Sequence, residues 1–214
     1  AYLFCMIALY TGLRLEEILG LMWDCVHLEN TPRIDVRRAV RFDGNQSTIS
    51  TTLKSNAAKR TIPIPPQLVE CLLRQKEIAQ TPFVIESKGH APFTKMQYRR
   101  LWNLVEKRQA KDRVYYRYVN GIKTAFKVEA KLGEKAKRGN FIYSIDFPVT
   151  PHLLRHTYIS NLLLGGVDIK TVQYLAGHEK AKTTLDTYAH LIYNRPTDTI
   201  TKVRKAFGQD LQAR

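Results

Sequence analysis

The sequence predicts an α+β fold, mainly helical, with a small antiparallel sheet and a β-hairpin inserted in its second half. Three observations lead there. Helix-length apolar segments with clear start and stop residues occupy both ends of the chain. Short alternating runs bounded by turn residues cluster between residues 34 and 64. An Asn120-Gly121 pair sits between two runs rich in Tyr, Val and Ile, the signal of a two-residue hairpin. With 214 residues, 44% of them hydrophobic, the chain can build a real core as one domain, or as one large and one small subdomain.

The elements follow in order. Residues 1–11 and 14–22 read as two helices broken at Gly12, with Arg14 at the start of the second. Ile34, Val36 and Val40 mark a strand, and Asp43-Gly44-Asn45 the turn after it. Residues 48–53 and 61–64 complete one small antiparallel sheet, with Lys54 in the turn between its last two strands. Pro66 opens a helix to about Lys76, and Thr94 another to about Arg108. Residues 114–119 and 122–128 form the hairpin; a two-residue turn pairs Val119 with Ile122, Arg117 with Thr124 and Tyr115 with Phe126. Thr150-Pro151 combines a capping hydroxyl with Pro at the first helical position and starts a helix that ends at Gly165-Gly166. Asp168 caps a short helix ending at Gly177, and a further helix carries Tyr188. Near the C-terminus, Ile200, Val203, Phe207 and Leu211 line one stripe of a tail helix over about residues 197–213.

Charge narrows the function classes. There are 34 Lys and Arg against 19 Asp and Glu, a formal +15. Such a balance points to a polyanion, either nucleic acid or an anionic membrane. No apolar run reaches the roughly 18 to 20 residues that span a bilayer, so nucleic acid is the better partner; the expected location is the cytoplasm. Residues 99–140 hold 13 Lys and Arg against 4 acids, a local +9. One face of the hairpin there presents Tyr116, Tyr118, Lys123 and Lys127, and the other carries Arg117. Basic residues interleaved with aromatics suit contact with a DNA backbone and groove; the alternative is a hairpin that packs over the core. Cys5, Cys25 and Cys71 are odd in number, lack metal-site spacing, and read as buried thiols in a reducing compartment.

Five groups in fixed order carry the chemistry. They are Arg14 in Thr11-Gly-Leu-Arg14-Leu-Glu-Glu17, Lys54 in Leu53-Lys54-Ser-Asn-Ala-Ala-Lys-Arg60-Thr-Ile-Pro, His152-Leu-Leu-Arg155-His156, Gly177-His178, and Tyr188 in Thr183-Thr184-Leu-Asp-Thr-Tyr188-Ala-His190. Arg155 precedes His178 by 23 residues, and His178 precedes Tyr188 by 10. Taken together they resemble the catalytic domain of the tyrosine recombinases, the phage integrase family, and within it the integrases of phages and conjugative transposons.

That resemblance implies site-specific DNA strand exchange through a covalent 3′-phosphotyrosine, with no cofactor. Arg14 and Arg155 would clamp the scissile phosphate, since a guanidinium donates two parallel hydrogen bonds and keeps its proton. Tyr188 would attack phosphorus. A phenol of pKa near 10 needs help to lose its proton; the resemblance assigns that help to His152. Lys54 fits as the acid that protonates the leaving 5′-oxygen, His178 would hydrogen-bond the phosphate, and Glu17 would support the site without touching substrate. The arginines would do the work a Mg²⁺ does elsewhere.

Other readings of these residues exist. His152 and His156 at i, i+4 are half of a helical zinc site, but no Glu follows the first His and no CxxC occurs, so no metal is expected. His156 reads as structural, and Glu17 as a partner of Arg14 at i, i+3. A type IB topoisomerase or a non-catalytic DNA-binding module of the same fold are the rival functions. The abrupt apolar start at Ala1–Tyr10 predicts a piece cut from a longer protein, whose relatives carry core-binding and arm-binding domains earlier. The family also implies double-stranded DNA, a homotetramer on that DNA and an accessory directionality factor; the tail helix either folds back on its own domain or, as more often in relatives, docks on a neighbouring protomer.

Overall fold

A computed structural model describes residues 1–53, 55–87, 89, 91–137, 139–180, 182–186 and 188. Lys54 and the expected tail helix at 197–213 lie outside the described residues. Helix α1 (Tyr2–Thr11) is apolar around most of its circumference, and Phe4, Ile7 and Ala8 are fully buried. A helix of that composition belongs inside, and α1 packs against α2, α3 and α5. It stops at Gly12, where φ is +60° and the N–H bonds back to the Ala8 carbonyl. A Cβ there would approach the Tyr158 ring to 2.3 Å, so both backbone and packing demand glycine.

Helix α2 (Leu15–Leu19) is shorter than the 14–22 the sequence suggests. The reason is competition from another segment. The Leu21 carbonyl and the Trp23 N–H bond the backbone of Val84 and Pro82, which pulls residues 21–23 out of the helix. A 3₁₀ turn, Trp23–Cys25, follows.

The expected single sheet is two sheets. Strands β1 (Val26–His27), β2 (Arg33–Val36) and β5 (Arg60–Pro63) form an antiparallel sheet in the order β1-β2-β5. Strands β3 (Ala39–Asp43) and β4 (Gln46–Ser50) form a separate ribbon around Gly44-Asn45. The free edge of β2 pairs with β5, where Ile34 faces Ile62 and both are fully buried. Core burial at that pair therefore decides the partner.

Helix α3 (Pro66–Glu77) begins with Pro at its first turn, and α4 (Lys95–Glu106) with a reciprocal cap in which Thr94 and Gln97 exchange bonds. Strands β6 (Arg113–Val119) and β7 (Ile122–Val128) pair in the register the turn dictates, Val119 with Ile122 and Tyr115 with Phe126. Asn120 and Gly121 both adopt positive φ, at 50° and 77°. The hairpin does not pack over the core, because every β6 residue after Arg113 is exposed. Its segment leaves and rejoins the domain at one place, where Ala110 N–H bonds the Ile145 carbonyl and Ser144 N–H the Arg108 carbonyl.

Helix α5 (Pro151–Leu164) starts at Thr150, whose hydroxyl accepts from the Leu153 N–H, and ends at Gly165. Helix α6 (Ile169–Ala176) starts at Asp168, which accepts from Lys170 and Thr171 N–H groups, and ends at Gly177. Residues 182–186 and Tyr188 are helical. Among the described residues no helix is long and apolar enough to cross a membrane. Cys25 is buried, while Cys5 and Cys71 are half-buried; all three thiols are free.

Candidate active site

The site is built where two helices end. The last carbonyls of a helix lack partners within it and carry the negative end of its dipole. Here arginines supply the missing donors. Arg155 donates to the carbonyls of Gly12, just after α1, and of Ala176, the last residue of α6. Arg14 Nη2 donates to the Gly177 carbonyl at 2.7 Å, and Arg60 Nε to the Leu175 carbonyl at 2.8 Å. Gly177 itself is required twice over. Its φ is +66°, and a Cβ would lie 2.8 Å from Arg60 Nη1.

One carboxylate holds the cluster together. Glu17 accepts from the Arg14 N–H at 2.8 Å, Arg14 Nη1 at 2.9 Å, Arg60 Nη1 at 3.1 Å and Arg60 Nη2 at 2.9 Å. Burial works to raise its pKa, but the hydrogen bonds and charges of Arg60 and then Arg14 outweigh it and bring the carboxyl to about 2. Three guanidiniums against one carboxylate leave an excess of positive charge. Burial, followed by repulsion from Arg14 and Arg60, pulls even the Arg155 guanidinium down to about 10. An incoming anion relieves that repulsion.

Above the cluster lies an open cleft of about 430 Å³, lined by Leu13, Arg14, Leu15, Glu16, Tyr98, Thr150, Pro151, His152, Arg155 and His178. The N-terminus of α5 opens into it, adding the positive end of a helix dipole. The His178 N–H bonds the Gln173 carbonyl, and its Nδ1 lies 2.9 Å from the Thr184 hydroxyl. Burial, with Arg155, Arg14 and Arg60, lowers the His178 pKa to about 4, so the ring is neutral near pH 7. With Thr184 donating to Nδ1, the Nε2–H is the proton left for a ligand; that tautomer is inferred from the bond, not observed.

Tyr188 is 3% exposed and shares the hydrophobic core cluster. Its hydroxyl bonds Nδ1 of His156. The expectation that His152 takes this place differs from the structure. His152 lines the cleft and meets His156 edge to face, with ring centroids 4.4 Å apart. Turns of α5 explain this, since i and i+4 share one face and Tyr188 approaches at the inner one. Burial raises the Tyr188 pKa and the nearby Arg155 only partly counters it.

The structure thus brings Arg14, Glu17, His152, Arg155 and His178 together, with Tyr188 reaching the same group through His156. Lys54 lies outside the described residues. Arg117, Lys123 and Lys127 stand apart on the hairpin. Arg117 lies over the Tyr115 ring and Lys123 over the Tyr116 ring, at 5.1 and 4.7 Å from the centroids. Lys127 is tied to Asp112 at 2.8 Å and to Glu129 at 3.7 Å. Sequence reasoning missed Arg60 and Thr184. A signal for Arg60 existed: alternation in β5 puts it on the same face as the buried Ile62.

A basic cleft over paired arginines, two histidines and a tyrosine defines a candidate phosphoryl-transfer site. The chain matches the phage integrase family over residues 1–195 and belongs to that family. It is similar to the ICEBs1 integrase of Bacillus subtilis (strain 168), 26% identical over 94% of this chain and 47% of that protein. The tyrosine recombinase XerC-like protein of Caldanaerobacter subterraneus subsp. tengcongensis is 24% identical over 94% of this chain and 48% of its own. This chain therefore spans about half the length of the curated relatives it matches. Its fold is that of the Tn1549 transposon integrase in complex with transposon right end DNA, with a TM-score of 0.63 at 21% identity, covering 97% of this chain and 58% of that one.

Proposed function

We propose that this chain is the catalytic unit of a site-specific DNA recombinase, a strand transferase that cuts and rejoins DNA through a 3′-phosphotyrosine without metal or ATP. The observation that carries this is the pairing of Arg14 and Arg155 at one cleft, beside a neutral His178 and close to Tyr188. Arg155 spends two bonds on backbone carbonyls, and a guanidinium has five N–H groups, so donors remain for phosphate. Two cations and a helix N-terminus stabilise the charge that builds on the non-bridging oxygens, the task a metal performs elsewhere. Double-stranded DNA is the substrate, and recombination pairs four protomers with an accessory directionality factor, all in the cytoplasm. The test is incubation with a nicked suicide duplex carrying the junction of the mobile element. A covalent protein–DNA band on a denaturing gel is expected, and its absence at saturating DNA would overturn the proposal.

In this mechanism Lys54 protonates the departing 5′-oxygen. A general acid contributes about 10²- to 10⁴-fold, so Lys54→Ala should slow cleavage by that amount. A 5′-bridging sulfur leaves without a proton and should recover most of the rate. If both substrates slow equally, Lys54 is not the acid.

The hairpin grips the DNA backbone. Each lost phosphate contact lowers the salt slope of binding by roughly 0.9. Replacing Arg117, Lys123 and Lys127 with Ala should weaken affinity and flatten the slope by about two to three such steps, the Lys127 share being the smaller because it already pairs with Asp112. Unchanged affinity and slope in a protein with intact circular dichroism would leave the hairpin without a DNA role.

A further inference from the structure

The family resemblance hands the Tyr188 proton to His152, yet another imidazole occupies the position where that proton must go. We propose that His156, through Nδ1, is the immediate acceptor of the Tyr188 phenolic proton; this rests on the reading of Tyr188 as nucleophile. The Tyr188 hydroxyl bonds His156 Nδ1, and the two rings lie with centroids 5.6 Å apart. His152 instead lines the cleft and meets the His156 ring edge to face, with centroids 4.4 Å apart.

The charged and titratable groups facing His156 are His152 and Arg155 from α5, His178, and Tyr188 itself. Burial, then His152, then Arg155 hold the His156 imidazole below its ordinary pKa, so the ring is neutral and able to accept near pH 7. Burial at the same time raises the Tyr188 phenol, which makes a partner for its proton more necessary. The step balances as follows. Tyr188 Oη passes its proton to His156 Nδ1 and forms the bond to phosphorus. The bond from phosphorus to the 5′-oxygen breaks with its electron pair on that oxygen, which is protonated by the general acid. On rejoining, imidazolium returns the proton to Tyr188.

The experiment measures single-turnover adduct formation on the nicked suicide duplex at saturating DNA, for the parent chain and for His156→Ala, His156→Gln, His152→Ala and Tyr188→Phe. A lost general base costs about 10²-fold or more. His156→Ala should show that loss with DNA affinity retained, and added imidazole should restore part of the rate. His156→Gln fills the same space and still bonds the hydroxyl but takes no proton, so it should be as slow as His156→Ala. It also decides the matter if the Ala variant fails to fold. His152→Ala should be slowed less than either. A full rate in His156→Gln, or in His156→Ala, overturns the proposal while Tyr188 remains the nucleophile. An adduct that persists in Tyr188→Phe overturns the nucleophile assignment, and the inference with it.

Discussion

Tyr188→Phe is expected to yield a folded, DNA-binding protein that forms no covalent adduct at all. The substitution removes one oxygen from a ring that is otherwise buried in the core cluster. The fold loses one hydrogen bond, to His156, worth about 0.5–1.5 kcal/mol. In the proposed mechanism the reaction loses its only attacking atom, so the expected effect on the adduct is total rather than graded. Denaturing gels with the nicked duplex, and peptide mapping of the parent adduct, make the check. A nucleotide found on Tyr174 or Tyr193 would falsify the assignment.

Arg60→Met is expected to be the most damaging change to stability. Arg60 is 0% and Glu17 4% exposed at the side chain, and they share a two-pronged ion pair. Removing Arg60 leaves the buried Glu17 carboxylate with Arg14 as its remaining partner, so the cost should approach the about 3–5 kcal/mol of a broken buried pair. That is a large share of the stability of an ordinary domain. The Leu175 and Ala58 carbonyls also lose their donor. Urea unfolding measures the loss; a cost under about 1 kcal/mol would mean that the pair does not hold the site. Changing Glu17 to Met as well should cost less than the sum of the two single changes. Acid supplies a second check. Glu17 has a folded pKa of about 2, below the ordinary 4.5, so its contribution is full above pH 4.5 and fades as pH falls towards 2. The stability gap between parent and Arg60→Met should narrow over that window.

Much of the fold was legible in the sequence because its signals are local. Thr150-Pro151, Asp168 and Gly177 announce the ends of α5 and α6 through backbone valences that neighbouring residues satisfy. Asn120-Gly121 sets the hairpin register because only such residues adopt its two positive φ angles cheaply. The order and spacing of Arg14, His152, Arg155, His178 and Tyr188 were legible for another reason: together they resemble the pattern of the tyrosine recombinases, the family to which the chain belongs.

What lay beyond the sequence depends on separations that no local pattern encodes. The short α2 follows from a backbone partner near residue 83, and the split sheet from Ile62 outcompeting β4 for the edge of β2. Arg155 reaches the Gly12 carbonyl across 143 residues, and Arg60 reaches Leu175 across 115. The sequence by itself, through that resemblance, named Arg14, Glu17, His152, Arg155, His178 and Tyr188 as candidates for one site. Only the tertiary structure decided that Arg60 anchors them and that His156, rather than His152, meets Tyr188. The physical reason is that His152 and His156 share one face of α5, so the partner is set by which turn of that face the returning chain packs against, and that packing is a property of the whole core.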